Sequence, residues 1–113
     1  MAKIGVFIPK YCRVGDTDVL NKLKESDVRK EALDVAKCMT DVCGGAISTE
    51  VTGYYEFYDG FLSECPTLEI YCFCKKDQIN EVATVLKPLV SDIRLRLAQN
   101  SIGMYVNDEF IEL

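Results

Sequence analysis

Ile4, Val6 and Ile8 alternate with Gly5 and Phe7 between Lys3 and Pro9, and a period of two marks a half-buried strand. The spacing then changes. Val28, Ala32, Val35, Met39 and Val42 recur at steps of four and three, which places them in one stripe of a helix opening at Ser26 or Asp27 and stopping at Gly44-Gly45. Ile47 to Tyr58 reads as a strand, Asp59-Gly60 as a hairpin turn, and about Thr67 to Lys75 as the return strand; Cys65-Pro66 makes its start irregular or puts the proline at an edge. A second helix opens at Asp77 and turns Ile79, Val82, Leu86, Leu89, Ile93 and Leu97 inward, with Pro88 inside it. Ile102, Met104 and Val106 alternate in a further strand, and Asn107-Asp108 turns the chain into Glu109 to Leu113. The long connection from Lys10 to Glu25 holds a short helix, Val19 to Lys24, capped by Asp16 or Asp18.

The order β-α-β-β-α-β-β predicts a single α+β domain over residues 1–113. Its expected layout is ferredoxin-like: two helices on one face of an antiparallel sheet, plus a short C-terminal strand. Alternation then sorts each strand. Ile4, Val6, Ile8, Leu68, Ile70, Cys72, Ile102, Met104 and Val106 face the helices, while Phe7, Tyr71, Phe73 and Tyr105 face away, joined by Tyr54 and Tyr58 if the hairpin keeps the same register. An open face carrying that many rings signals a contact surface.

Composition sets the setting for that surface. A chain of 113 residues, 49% hydrophobic and 27% charged, buries enough surface to fold without a metal or disulfide. Its apolar runs fall short of the roughly 20 residues a membrane helix needs, and Met1 to Pro9 is brief for a signal peptide, so no membrane association and a cytoplasmic location are expected. In that compartment the six cysteines are free thiols. Charge is uneven: Ile47 to Cys74 carries five acidic residues and no Lys or Arg, and three more unopposed acids follow Arg96. Those segments repel phosphate, which argues against nucleic acid even though RNA-recognition domains stack bases on a similar open sheet.

No catalytic, metal or cofactor signature emerges. Cys72-x-Cys74 and Cys38-x4-Cys43 lack the usual zinc spacing and there is no histidine, so core filling is the simpler reading. Cys12, between Lys10 and Arg13, is a thiol beside positive charge but has no histidine base. Asp16-Thr17-Asp18 reads as a helix cap, and Gly44-Gly45-Ala46 follows a helix where a phosphate loop would precede one.

Gly44-Gly45-Ala46, Gly53-Tyr54, Glu64, Tyr71-Cys72-Phe73-Cys74, Asn100-Ser101-Ile102 and Val106-Asn107, in that order, resemble small uncharacterised proteins of Firmicutes and their mobile elements. The resemblance runs from Lys3 to Leu113 and implies a bacterial or mobile-element origin. Together these features predict a non-catalytic module with no cofactor. It binds through Phe7, Tyr54, Tyr58, Tyr71, Phe73 and Tyr105, rimmed by Glu56 and Asp59, and its partner is a second copy or a basic protein such as a host defence factor. The alternative is a dimeric α+β barrel, in which two such sheets enclose a small-molecule or active site.

Overall fold

The computed structural model describes residues 1–13, 20–56, 60 and 62–113. Strands β1 (Ala2–Pro9), β2 (Tyr11–Arg13) and β3 (Leu20–Lys22) precede helix α1 (Glu25–Cys43). Strands β4 (Ile47–Glu56) and β5 (Leu62–Cys74), helix α2 (Ile79–Arg96), and strands β6 (Gly103–Val106) and β7 (Glu109–Glu112) follow. The main sheet has five strands in the order β4-β5-β1-β6-β7, with every pairing antiparallel. Among the described residues no helix is long and apolar enough to cross a membrane.

Both helices pack on the sheet and on each other. Ile4, Val6, Ile8, Ile70, Cys72, Ile102 and Met104 meet Val28, Val35, Met39, Val82, Leu86, Val90 and Ile93 in one cluster. Alternation produces this directly, because partners directly opposite in an antiparallel pair share a face: Ile4 faces Cys72 and Val106, and Val6 faces Ile70 and Met104. Cys72 and Cys74 are each 1% exposed, as core filling requires. Burial, then contact with Cys43, pushes the Cys72 thiol up to about 12. Glu31 also lies in the core side of α1, at 3% exposure, where Arg96 of α2 donates two hydrogen bonds of 2.8 Å to its carboxylate.

Several local expectations change. Among the described residues no short helix precedes α1; Leu20–Lys22 pairs with Tyr11–Arg13 as a small second sheet. Its base is tied by Lys10 N–H donating to Pro66 O and Leu23 N–H donating to Lys10 O, so backbone pairing replaces the weak local helix signal. The proposed caps Asp16 and Asp18 lie outside the described residues. Helix α1 opens earlier, at Glu25, with extended Lys24 ahead of it and no side-chain cap; Asp27 instead sits in the first turn, where its charge opposes the helix dipole. Helix α2 opens at Ile79, because Gln78 N–H donates to Lys75 O and the Gln78 side chain accepts from Lys75 N–H. Strand β5 begins at Leu62 rather than near Thr67, and Pro66 sits within it opposite Thr52 of the edge strand β4. Gly44 takes a left-handed φ of 85° and closes α1. Asn107 (φ 54°) turns the chain from β6 into β7 and also fixes the start of β1, exchanging bonds with the Lys3 main chain.

Candidate functional site on the face away from the helices

The register assigns the outward positions. Lys3, Gly5 and Phe7 of β1 lie opposite Phe73, Tyr71 and Glu69 of β5, and Gly5 also lies opposite Tyr105 of β6. Tyr105 in turn lies opposite Phe110 of β7. These side chains do not stand separately in water. Phe7 and Tyr105 have ring centroids 5.6 Å apart at 49°, and Tyr71 meets Phe73 edge-on at 5.8 Å and 88°.

Lys3 links the two ring pairs. Its ammonium lies 4.2 Å from the Tyr71 centroid, 5.4 Å from Tyr105 and 6.0 Å from Phe73. Three ring faces therefore surround one cation, and a carboxylate completes the set: Glu69 Oε2 is 3.8 Å from the ammonium. The Glu69 side chain is only 15% exposed and accepts a 2.5 Å bond from the Tyr105 hydroxyl. Burial, then that bond and the carboxylate's charge, holds the Tyr105 phenol well above its ordinary range. It remains a donor across the whole neutral range.

Gly5 makes this arrangement possible. A Cβ there would sit 2.3 Å from Tyr105 Cζ, so the ring lies flat on bare backbone. Gly103 does the same for Phe110, whose Cζ would be 2.9 Å from an added Cβ. Beside the cluster the face hollows into a cleft of about 340 Å³ whose walls include Phe7, Gly53, Tyr55, Gly103, Phe110 and Glu112. That volume is within the roughly 300–1,000 Å³ of small-molecule sites. A larger hollow of about 680 Å³ lies between α1 and the β2–β3 hairpin. There Lys10 is already bonded to Glu50 at 2.6 Å, which holds the Glu50 carboxyl below the usual range. Lys22, Glu25 and Arg29 also line this hollow, but it gathers no group of rings around a charge as the aromatic face does.

Of the residues read from sequence, Phe7, Tyr71, Phe73 and Tyr105 come together here. Tyr54 also lines the cleft but does not share their register: it lies opposite Glu64, one step out of phase with Tyr55, which lies opposite Ser63 on the parity of Gly53 and Val51. Glu56 is exposed at the end of β4. Tyr58 and Asp59 lie outside the described residues. Lys3, Gly5, Glu69, Tyr55 and Phe110 were not singled out, although period two places the first three on this face. Cys12, half-buried in β2, joins none of these groups. Among the described residues no group of His, Cys, Asp or Glu is arranged to hold a metal.

No family model and no curated protein matches the chain. Two solved structures do. A phage SAM lyase in complex with S-methyl-5'-thioadenosine aligns with 99% of this chain and 88% of its own, at a TM-score of 0.63 and 16% identity. A phage SAM lyase in the apo state aligns with 99% and 87%, at 0.60 and 14%. At these identities the likeness establishes a shared α+β fold of antiparallel sheet and two helices. In both solved structures this fold carries an enzyme, which tells against the non-catalytic module expected from sequence. Exposed rings had suggested a protein contact; Tyr71, Phe73 and Tyr105 instead surround the Lys3 ammonium, and Phe7 borders the adjoining cleft.

Proposed function

We propose that this chain is an enzyme of ferredoxin-like layout that binds S-adenosylmethionine on the aromatic face and cleaves it to S-methyl-5'-thioadenosine. The observation that carries the reading is the likeness over 99% of the chain to a lyase solved with that thioether. The site chemistry agrees with it. A nucleoside asks for flat apolar walls, which Phe7, Tyr55 and Phe110 supply, and a sulfonium asks for rings and a carboxylate beside it.

The reaction asks little of the protein beyond placement. A sulfonium is a leaving group already: breaking its bond to the four-carbon chain leaves the electron pair on sulfur as a neutral thioether. The carbon is then satisfied by a pair from the same fragment's own carboxylate, which closes a ring and leaves no proton to transfer. Folding the substrate into a reactive conformer in a water-poor site is a sufficient source of rate. Glu69 is the charged group that orients the cationic end, and Tyr105 holds Glu69 in place.

The test is incubation of purified protein with S-adenosylmethionine and chromatographic detection of the thioadenosine. Product should form above the spontaneous background and fall about 100-fold in Glu69→Gln. Wild-type protein that forms no product above the spontaneous background would exclude the reading.

A further inference from the structure

Lys3 occupies a cage that its own chemistry does not need. A lysine on an outward strand position can extend into water, yet this ammonium turns back among Tyr71, Tyr105 and Phe73 while 40% of the side chain remains exposed. Ring faces attract any cation, and bind a methylated onium better than ammonium because it holds its water less tightly.

We propose that the cage of Tyr71, Phe73 and Tyr105 with Glu69 is the subsite for the ligand's positive sulfur, and that Lys3 is a built-in competitor that must swing out before the ligand seats. This rests on the sulfonium-ligand reading and divides the face in two. The cleft beside Phe7 and Phe110 holds the nucleoside, and the cage discriminates charge. A neutral thioether product has no claim on the cage, so Lys3 returns to it as the charge on sulfur is lost. The Lys3 main chain stays fixed, through its N–H donating to Asn107 Oδ1 at 3.0 Å and its carbonyl accepting from Asn107 N–H at 2.7 Å. Only the flexible side chain has to move, by rotation about its four-carbon stem.

Lys3→Met keeps the stem's bulk and removes the competitor. S-adenosylmethionine should show a KM about 3- to 10-fold lower with this variant than with wild type, the worth of one displaced cation–ring contact set, with the calorimetric affinity for S-methyl-5'-thioadenosine unchanged. Trimethylsulfonium, which has neither nucleoside nor carboxylate, isolates the cage. Followed by the ring resonances of Tyr71, Phe73 and Tyr105, it should bind Lys3→Met more tightly than wild type and lose binding in Lys3→Met with Tyr71→Leu.

Equal or weaker trimethylsulfonium binding in Lys3→Met overturns the proposal, as does a matching gain for the neutral thioether. Thioadenosine formation with unmoved Lys3→Met titrations would discard the cage and keep the lyase. Cage binding of trimethylsulfonium without thioadenosine formation would keep the cage and discard the lyase.

Discussion

Replacing Gly5 by alanine tests the geometry on which the site depends. An added methyl would overlap the Tyr105 ring, with Cζ at 2.3 Å, Oη at 2.4 Å and Cε1 at 2.5 Å. The neighbours leave little room below, since Ile4 and Val6 flank Gly5 at 0% exposure, so the ring must lift. Lifting it breaks the bond to Glu69, worth about 1.5–3 kcal/mol for a charged acceptor, and loosens the contact with Phe7, worth about 0.5–1.5 kcal/mol. Against this, alanine gains about 0.5–1 kcal/mol over glycine in a strand. The net expectation is a loss of about 1–4 kcal/mol in urea unfolding. The decisive control is Gly5→Ala in a Tyr105→Ala background, where the methyl has space. There the substitution should be neutral or slightly stabilising, so the cycle gives a coupling energy near the whole single-mutant loss. A Gly5→Ala loss that persists without the Tyr105 ring would refute the account.

Other consequences are read from single pairs. Glu31→Gln removes the charge that Arg96 grips; because Arg96 is 43% exposed the loss should be about 1–3 kcal/mol rather than the ~3–5 of a fully buried pair, and a denaturant midpoint that does not move would contradict the clamp. Alkaline stability should fall. The Cys72 thiol goes from an ordinary 9.0 to about 12 on folding, so its contribution is whole below pH 9 and is lost as pH rises through 12. Between pH 8 and 10.5 this amounts to about 2 kcal/mol, and Cys72→Ala should flatten the decline in chemical unfolding. Lys10→Met should return the Glu50 carboxyl upward to the ordinary range in an NMR titration; an unchanged midpoint would mean that the 2.6 Å pair does not persist in solution.

Period two made the strands of this sheet legible, and with them half of the site. Lys3, Gly5 and Phe7 alternate against Ile4, Val6 and Ile8, and Glu69, Tyr71 and Phe73 against Ile70 and Cys72, so the outward set is a direct product of burying the other. The same rule fails on β4 because its residues are almost all exposed, leaving no buried parity to choose between Tyr54 and Tyr55. There the pairing with β5 decides, and that is a property of two segments together. The Leu20–Lys22 strand was missed for a related reason: three residues carry no usable periodicity, and the backbone bonds of Lys10 to Pro66 and Leu23 outweigh local helix preference. Glu31 stands on the core side of α1 only because Arg96, 65 residues away, meets it there. The charged centre is hidden in the same way, since Lys3, Glu69 and Tyr105 become neighbours only when β1 takes the place between β5 and β6.

The uneven charge acquires a sharper meaning once the face is known. The carboxylates of Ile47 to Cys74 and of the segment after Arg96 belong largely to β4, β5 and β7, strands that carry no Lys or Arg of their own, although Lys3 of β1 faces Glu69 and Lys10, just past its end, reaches Glu50. Their field adds to that of Glu69 and favours a positively charged visitor, while Lys3 is the cation found among the rings. On the proposed reading, two adenosine compounds of similar shape are separated by sign. A nucleotide brings phosphates into a negative field where its rings would otherwise stack well, whereas a sulfonium nucleoside is drawn to the carboxylate and rings. Aliphatic residues at Tyr71, Phe73 and Tyr105 would cover the sheet about as well, but they carry no negative ring face. On the proposed reading, discrimination by charge, rather than burial alone, is what these aromatic side chains add to the fold.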